Sequence, residues 1–192
     1  MQITIIRHGV PDLSGWEKIP SSRMPEWIKA YNVAGVKHEA HLIPQKMAIK
    51  LQHNFVVCSD LARSINSAQL IGYQSPLLID AIFREAELPE IQIPFARLTP
   101  NAWSMVFRLF WFAGIANKAE AIEPFKQRVS LAAAKLVQLA HEHDSILLIG
   151  HGIINRFLAK ELIADGWLGD EAPNGNKYGG YRYWEYATYT KT

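Results

Sequence analysis

Met1-Gln-Ile-Thr-Ile-Ile-Arg7-His8-Gly9-Val10 opens the chain, and its reading governs the rest. Gln2 to Ile6 is rich in β-branched residues and stops on Arg-His-Gly, the pattern of a short buried central strand closed by a turn. Ligands of open α/β sheets collect beyond the carboxyl ends of the strands, so Arg7, His8 and Gly9 fall where a site would form. A second apolar run, Ser145-Ile-Leu-Leu-Ile149, also ends on a histidine, set between glycines as Gly150-His151-Gly152. One histidine alone is as readily a satisfied buried or capping residue as a catalytic one. Two at one edge of one sheet favour chemistry.

The chain between them alternates strand and helix. Phe55 to Cys58 reads as a strand, and Ser59 as the N-cap of a helix over 60–71, with Asp60 at its positive end and Gly72 closing it. Arg63 then lies in the first turn, facing the strand ends. Leu77 to Ile82 reads as the third strand and carries Arg84 and Glu85 to the same edge. Phe125, Val129, Ala132, Ala133, Leu136 and Ala140 recur at helical spacing, which predicts a long amphipathic helix over 120–143. A further helix is predicted over 153–164, beside His151. The polar-aromatic tail over 178–190 suits an edge strand or hairpin. This alternation predicts an α/β three-layer α/β/α sandwich with a mostly parallel sheet, as one domain over 1–192.

Two stretches exceed what such a sheet needs. Residues 11–42 are punctuated by Pro11, Gly15, Pro20, Pro25 and Gly35, with a turn or two of helix over 26–31; a helix is also expected over 44–53. An insertion over about 86–118 holds three prolines between Glu87 and Pro100. It continues as a helix over 101–113 crowded with Trp103, Met105, Val106, Phe107, Leu109, Phe110, Trp111 and Phe112. Thirteen residues are too few to span a bilayer, so this helix is expected to bury itself against the domain, a second copy in a homodimer, or a membrane surface.

Composition narrows the function classes. The 192 residues carry 49% hydrophobic content, enough for a real core. Twenty Lys and Arg are balanced by 18 Asp and Glu for a net charge of +2, and the signs are intermixed, which argues against a nucleic-acid surface. The single cysteine, Cys58, precludes an intrachain disulfide and reads as a buried thiol. The first strand starts at once, with no basic n-region or cleavage site, so a cytoplasmic setting is expected. His38-Glu39-Ala40-His41 and His141-Glu142-His143 have the wrong spacing for the helical zinc motif and read as solvated polar stretches; no metal or cofactor is expected.

Four segments together resemble the histidine phosphatase superfamily, which includes phosphoglycerate mutases and acid phosphatases. They are Arg7-His8-Gly9 after the first strand, Ser59-Asp60-Leu61-Ala62-Arg63 opening a helix, Phe83-Arg84-Glu85 after the third strand, and Gly150-His151-Gly152 after a later one. The resemblance implies a covalent phosphohistidine on His8, His151 as a second imidazole, and an insertion after the third strand that caps the site. Mutases of the family usually continue the first motif with Glu-x-x-x-Asn. Here Val10-Pro11-Asp12-Leu13 stands instead, which argues against mutase activity.

Chemistry supplies roles for the same residues. A phosphoryl group in transfer carries charge on its equatorial oxygens, and the planar fork of arginine binds such oxygens bidentately, so Arg7 and Arg63 form the expected clamp. Imidazole can accept a phosphoryl group at neutral pH, provided its other nitrogen donates to a backbone carbonyl. The leaving alkoxide needs a proton. Glu85 is the positional match for that acid and Glu87 the alternative, because the Gly-x-x-Glu-Gly usual in the family is replaced by Ala86-Glu87-Leu88-Pro89. Gly9, Ser59, Gly152, Arg97, Arg108 and Trp103 are further candidates for contacting a small phosphorylated substrate. The expected activity is metal-independent phosphomonoester hydrolysis. Mutase-type transfer, a phosphoprotein phosphatase and a phospho-ligand binding module remain alternatives.

Overall fold

The computed structural model describes residues 1–38, 55–73, 77–170 and 182–192. Strand β1 (Gln2–Arg7) lies inside a five-stranded sheet, between β6 (Ser145–Gly150) and β7 (Tyr186–Thr190). The sheet continues beyond β6 through β3 (Phe55–Cys58) to β4 (Leu77–Ile79) at the far edge. All neighbours pair in parallel except β7, which runs antiparallel along β1. The tail therefore supplies an edge strand. It is partly polar, as suits a strand paired on one side only.

Side chains alternate across these strands, and the two faces of the sheet receive different helices. Ile3, Ile5, Val57, Ile146 and Leu148 pack on one face with helices α4 (Ile122–His143) and α5 (Gly152–Ala164). The buried stripe of α4 consists of the same six residues that repeat at helical spacing in the sequence. Ile6, Val56, Cys58, Leu147 and Ile149 face the other way, against Ala68 of helix α2 (Ala62–Leu70) and Trp184. Burial pushes the Cys58 thiol up to about 12, so it behaves as a small apolar side chain.

A separate apolar cluster forms away from the sheet. Met24 and Trp27 of α1 (Met24–Val33) meet Trp103 and Phe107 of α3 (Pro100–Phe112), with Ile19 from the two-residue strand β2 (Ile19–Pro20). That strand pairs with β5 (Arg97–Leu98). The irregular stretch after β1 and the insertion after β4 are thus packed against one another. α3 starts one residue before the expected 101, with Thr99 Oγ1 accepting from the Ala102 N–H and Pro100 in the first turn. Met105 and Leu109 on its outer side are exposed.

Among the boundaries that differ from expectation, two lie in elements that lead to the motifs. The third strand ends at Ile79 instead of Ile82, because the Asp80 side chain accepts from the Ile82 N–H and starts a 3-10 turn, Ala81–Phe83. The helix expected over 60–71 begins at Ala62 with Leu61 at the N-cap position and no side-chain cap. Ser59 has another partner. The helix expected over 44–53 and the His38-Glu39-Ala40-His41 stretch beyond His38 lie outside the described residues, and no described helix is long and apolar enough to cross a membrane.

Candidate active site

The sheet register builds the site. Arg7 is the partner of Gly150 across β1 and β6, so the next residue on each strand, His8 and His151, leaves the sheet at the same edge. The His8 N–H bonds Gly150 O at 3.1 Å. The imidazole rings lie 5.0 Å apart between centroids. Both are buried, with about 1% of their surface exposed.

Each imidazole is oriented by a hydrogen bond. His8 Nδ1 lies 2.7 Å from Gly9 O; a carbonyl only accepts, so Nδ1 carries the proton and Nε2 keeps its lone pair. His151 Nε2 lies 2.7 Å from Ser59 Oγ. The imidazole is thus the partner that takes the Ser59 hydroxyl away from helix capping, although that hydroxyl also accepts from the Leu61 N–H at 3.4 Å. His151 Nδ1 is buried and has no hydrogen-bond partner among the described residues. Burial holds both histidines well below the usual imidazole range, and the neighbouring positive charges of Arg63 and Arg7 lower them further.

The two glycine-flanked turns are tightly built. A Cβ on Gly150 would collide with Asn155 Oδ1, the atom that accepts the His151 N–H at 3.1 Å. A Cβ on Gly9 would run into the Trp184 indole. The Gly9 N–H instead reaches Ser67 Oγ at 2.8 Å, and that hydroxyl donates to Arg63 O at 2.6 Å, which ties α2 to the end of β1. Ser64 donates to Ile149 O and accepts from the Ser59 N–H. Short hydroxyl residues of α2 thus hold both motif loops.

The arginines are oriented by aromatic rings. Arg63 is 2% exposed and sits 4.3 Å over the Tyr31 ring, with one guanidinium N–H on Tyr31 O and on Asn32 Oδ1. Burial lowers its pKa. Arg7 sits 4.2 Å over the Tyr183 ring, which is also 5.5 Å from His8. Trp27 stacks on Tyr31 at 4.8 Å. Sequence reading missed Tyr31 and Tyr183, since neither is in a motif and each comes from a segment with no periodic signal.

Glu85 reaches the site as a cap of α5. Its two carboxylate oxygens accept from the backbone N–H groups of Ala86, Ile153 and Ile154 at 2.9–3.1 Å. Such acceptance satisfies the first-turn donors of the helix that follows His151. The segment bearing Glu85 is clamped twice. Arg128 donates to Ile82 O and Arg84 O and pairs bidentately with Glu120, while Arg84 pairs bidentately with Asp60. Glu87 points elsewhere, its Oε2 accepting from Glu120 N–H at 2.8 Å.

The remaining candidates are dispersed. Gly152 opens α5 beside the Glu85 carboxylate and the Arg7 guanidinium. Arg108 donates to Ala86 O and Glu87 O and lies over Trp111, bracing the insertion. Arg97 is exposed and donates to Lys18 O. Trp103 is 1% exposed, and its indole N–H donates to Ile19 O at 2.7 Å, so it presents no surface to a ligand here. Among the described residues no three His, Cys, Asp or Glu side chains converge as a metal site would require.

The fold thus brings two histidines and two arginines together at the carboxyl edge of a mostly parallel sheet. Residues 34–171 match the family model of the histidine phosphatase superfamily, branch 1, and the chain belongs to that superfamily. No curated protein matches it by sequence. Its fold is similar to that of mycobacterial glucosyl-3-phosphoglycerate phosphatase solved with VO3, with 19% identity over 97% of this chain and 91% of that one and a TM-score of 0.63. It is also similar to the alpha-ribazole phosphatase from Shigella flexneri, with 21% identity over 85% and 80% of the two chains and a TM-score of 0.56.

Proposed function

We propose that this protein is a metal-independent phosphomonoesterase that works through a phosphohistidine on His8. The observation that carries this reading is the Nδ1–H to Gly9 O bond at 2.7 Å, which leaves Nε2 unprotonated beside two arginines. Burial and the arginine charges keep the ring neutral, the state a nucleophile requires.

In the first step His8 Nε2 attacks phosphorus, an N–P bond forms, and the P–O bond to the alcohol breaks. The departing oxygen takes a proton from the acid, assigned to Glu85. Arg7 and Arg63 hold the equatorial oxygens, and His151 adds a hydrogen bond to them. In the second step water gives a proton back to Glu85 and attacks phosphorus. The N–P bond breaks, inorganic phosphate leaves, and His8 is restored.

Glu85 is preferred to Glu87 because its backbone anchors place it next to Gly152 and Arg7, whereas the Glu87 carboxylate is committed to Glu120. The substrate is a small phosphorylated molecule. The test is a phosphate-release screen over many phosphomonoesters, run beside His8→Ala, with a rapid non-acidic quench to trap the adduct. Turnover by the native chain, an acid-labile phosphate on His8, and near-complete loss in the variant are expected. Full activity in His8→Ala would overturn the mechanism.

A further inference from the structure

The two pocket histidines are anchored by opposite ring nitrogens. His8 is held at Nδ1 by the Gly9 carbonyl and His151 at Nε2 by the Ser59 hydroxyl, each at 2.7 Å. A carbonyl only accepts, which places the His8 proton on Nδ1. A hydroxyl both donates and accepts, so the His151 proton is placed by accounting for the hydrogen that Ser59 itself carries.

Ser59 is fully buried, and its Oγ accepts the Leu61 N–H at 3.4 Å. Among the described residues His151 Nε2 is the only acceptor that its own hydrogen can reach. Burial keeps the His151 ring neutral, with a single N–H. If that N–H were on Nε2 and donated to Ser59, two buried groups would lack partners, the Ser59 hydrogen and the lone pair of Nδ1. If Ser59 donates to Nε2 instead, only Nδ1–H is left over. The second arrangement costs less, because each buried polar group without a partner carries its own desolvation penalty.

We propose that Ser59 is a positioning residue whose hydroxyl donates to His151 Nε2, fixes the imidazole proton on Nδ1, and so makes Nδ1–H the donor that meets the phosphoryl oxygens in transfer. The proposal deepens the reading of this site as a phosphate pocket and rests on it. The two rings then hold the same tautomer and use it oppositely. His8, anchored by an acceptor, presents a lone pair and attacks; His151, anchored by a donor, presents an N–H and stabilises charge. Their centroids are 5.0 Å apart, so one phosphoryl group can lie against both. The anchor is rigid as well: the Ser59 N–H donates to Ser64 Oγ at 3.2 Å, Ser64 donates to Ile149 O, and Cys58 is the register partner of Ile149 across β3 and β6.

The experiment reads the tautomer directly, by long-range nitrogen–proton NMR correlations of the isotope-labelled full chain at neutral pH. The His151 signals are identified by their loss in His151→Asn. The native chain is expected to show a protonated Nδ1 and a bare Nε2 on His151, and the Nδ1 proton should shift when orthovanadate is added. Ser59→Ala should move the proton wholly or partly to Nε2 and lower kcat about 10²-fold, as loss of one oriented oxyanion donor does, while the His8 tautomer stays as it was. Ser59→Thr keeps a hydroxyl and should keep both the tautomer and most of kcat. A native His151 protonated on Nε2, a tautomer unmoved in Ser59→Ala, or an Nδ1 proton unmoved by bound vanadate would each overturn the proposal. The expected tautomer and Ser59 dependence in a chain that hydrolyses no phosphomonoester would keep the Ser59 assignment and refute the hydrolase reading; turnover with His151 protonated on Nε2 would do the reverse.

Discussion

Glu85 and Ile153 are 68 residues apart, yet both carboxylate oxygens of Glu85 accept the Ile153 N–H, at 3.1 and 2.9 Å. The acid proposed for the leaving group is therefore also the cap of the helix that begins just after His151. Glu85→Ala removes both functions and is expected to destabilise the fold by about 1 kcal/mol, as loss of an N-cap does. Glu85→Gln keeps an acceptor oxygen but cannot give a proton. It should slow alkyl phosphates far more than a nitrophenyl phosphate, whose leaving group needs little protonation. Steady-state rates on both substrates and denaturant midpoints check this. A larger leaving-group effect in Glu87→Gln would move the acid to Glu87.

Asn155 holds the second histidine from behind. Its Oδ1 accepts the His151 N–H in a fully buried setting, so Asn155→Ala would leave that donor unsatisfied at a cost of about 1–3 kcal/mol. Gly150→Ala would drive a methyl group into the same amide. Both are expected to lower kcat together with stability, read by turnover and thermal melting. Wild-type kcat in either variant would show that His151 does not depend on this contact.

Stability should fall on mild acidification. His8 and His151 are held neutral by burial, below the ordinary value of 6.5. Between their folded values and about 6.5 the unfolded chain binds more protons, so stability is full above about 6.5 and is lost as pH drops through that window. Asp60 and Asp80, lowered by hydrogen bonds from Arg84 and Ile82 respectively, act at more acidic pH, below the ordinary 3.8. Replacing His151 with Asn should flatten the pH dependence just below the ordinary imidazole value of 6.5. Denaturant titrations across pH measure the slope, and an unchanged slope would contradict the burial assignment.

Trp103 and Phe107 are buried in the cluster shared by α1 and α3. Trp103→Ala or Phe107→Ala is expected to cost about 3–5 kcal/mol as a core truncation. An aryl phosphate and a sugar phosphate should lose kcat/KM to a similar extent. A selective loss of the aryl substrate with little change in melting would instead give α3 a direct role in specificity.

Much of this architecture is legible in the chain. The β-branched run of Gln2 to Ile6 can only be buried, the six apolar residues of α4 repeat with helical period, and each motif tripeptide stands where an apolar run ends. Local periodicity and turn chemistry carry those signals, and they place Arg7, His8, Arg63, Glu85 and His151 at one edge. Tertiary structure alone decided their partners. The hydroxyl of Ser59 could have capped its own helix, but the parallel register of β3 with β6 brings His151 Nε2 within 2.7 Å of it. Asp80 likewise ended a strand that hydrophobicity would have continued. Nothing in the sequence marks Tyr31 and Tyr183 for the site, because each ring lies over an arginine distant in the chain, Tyr31 over Arg63 and Tyr183 over Arg7, and the local pattern of neither segment records the encounter.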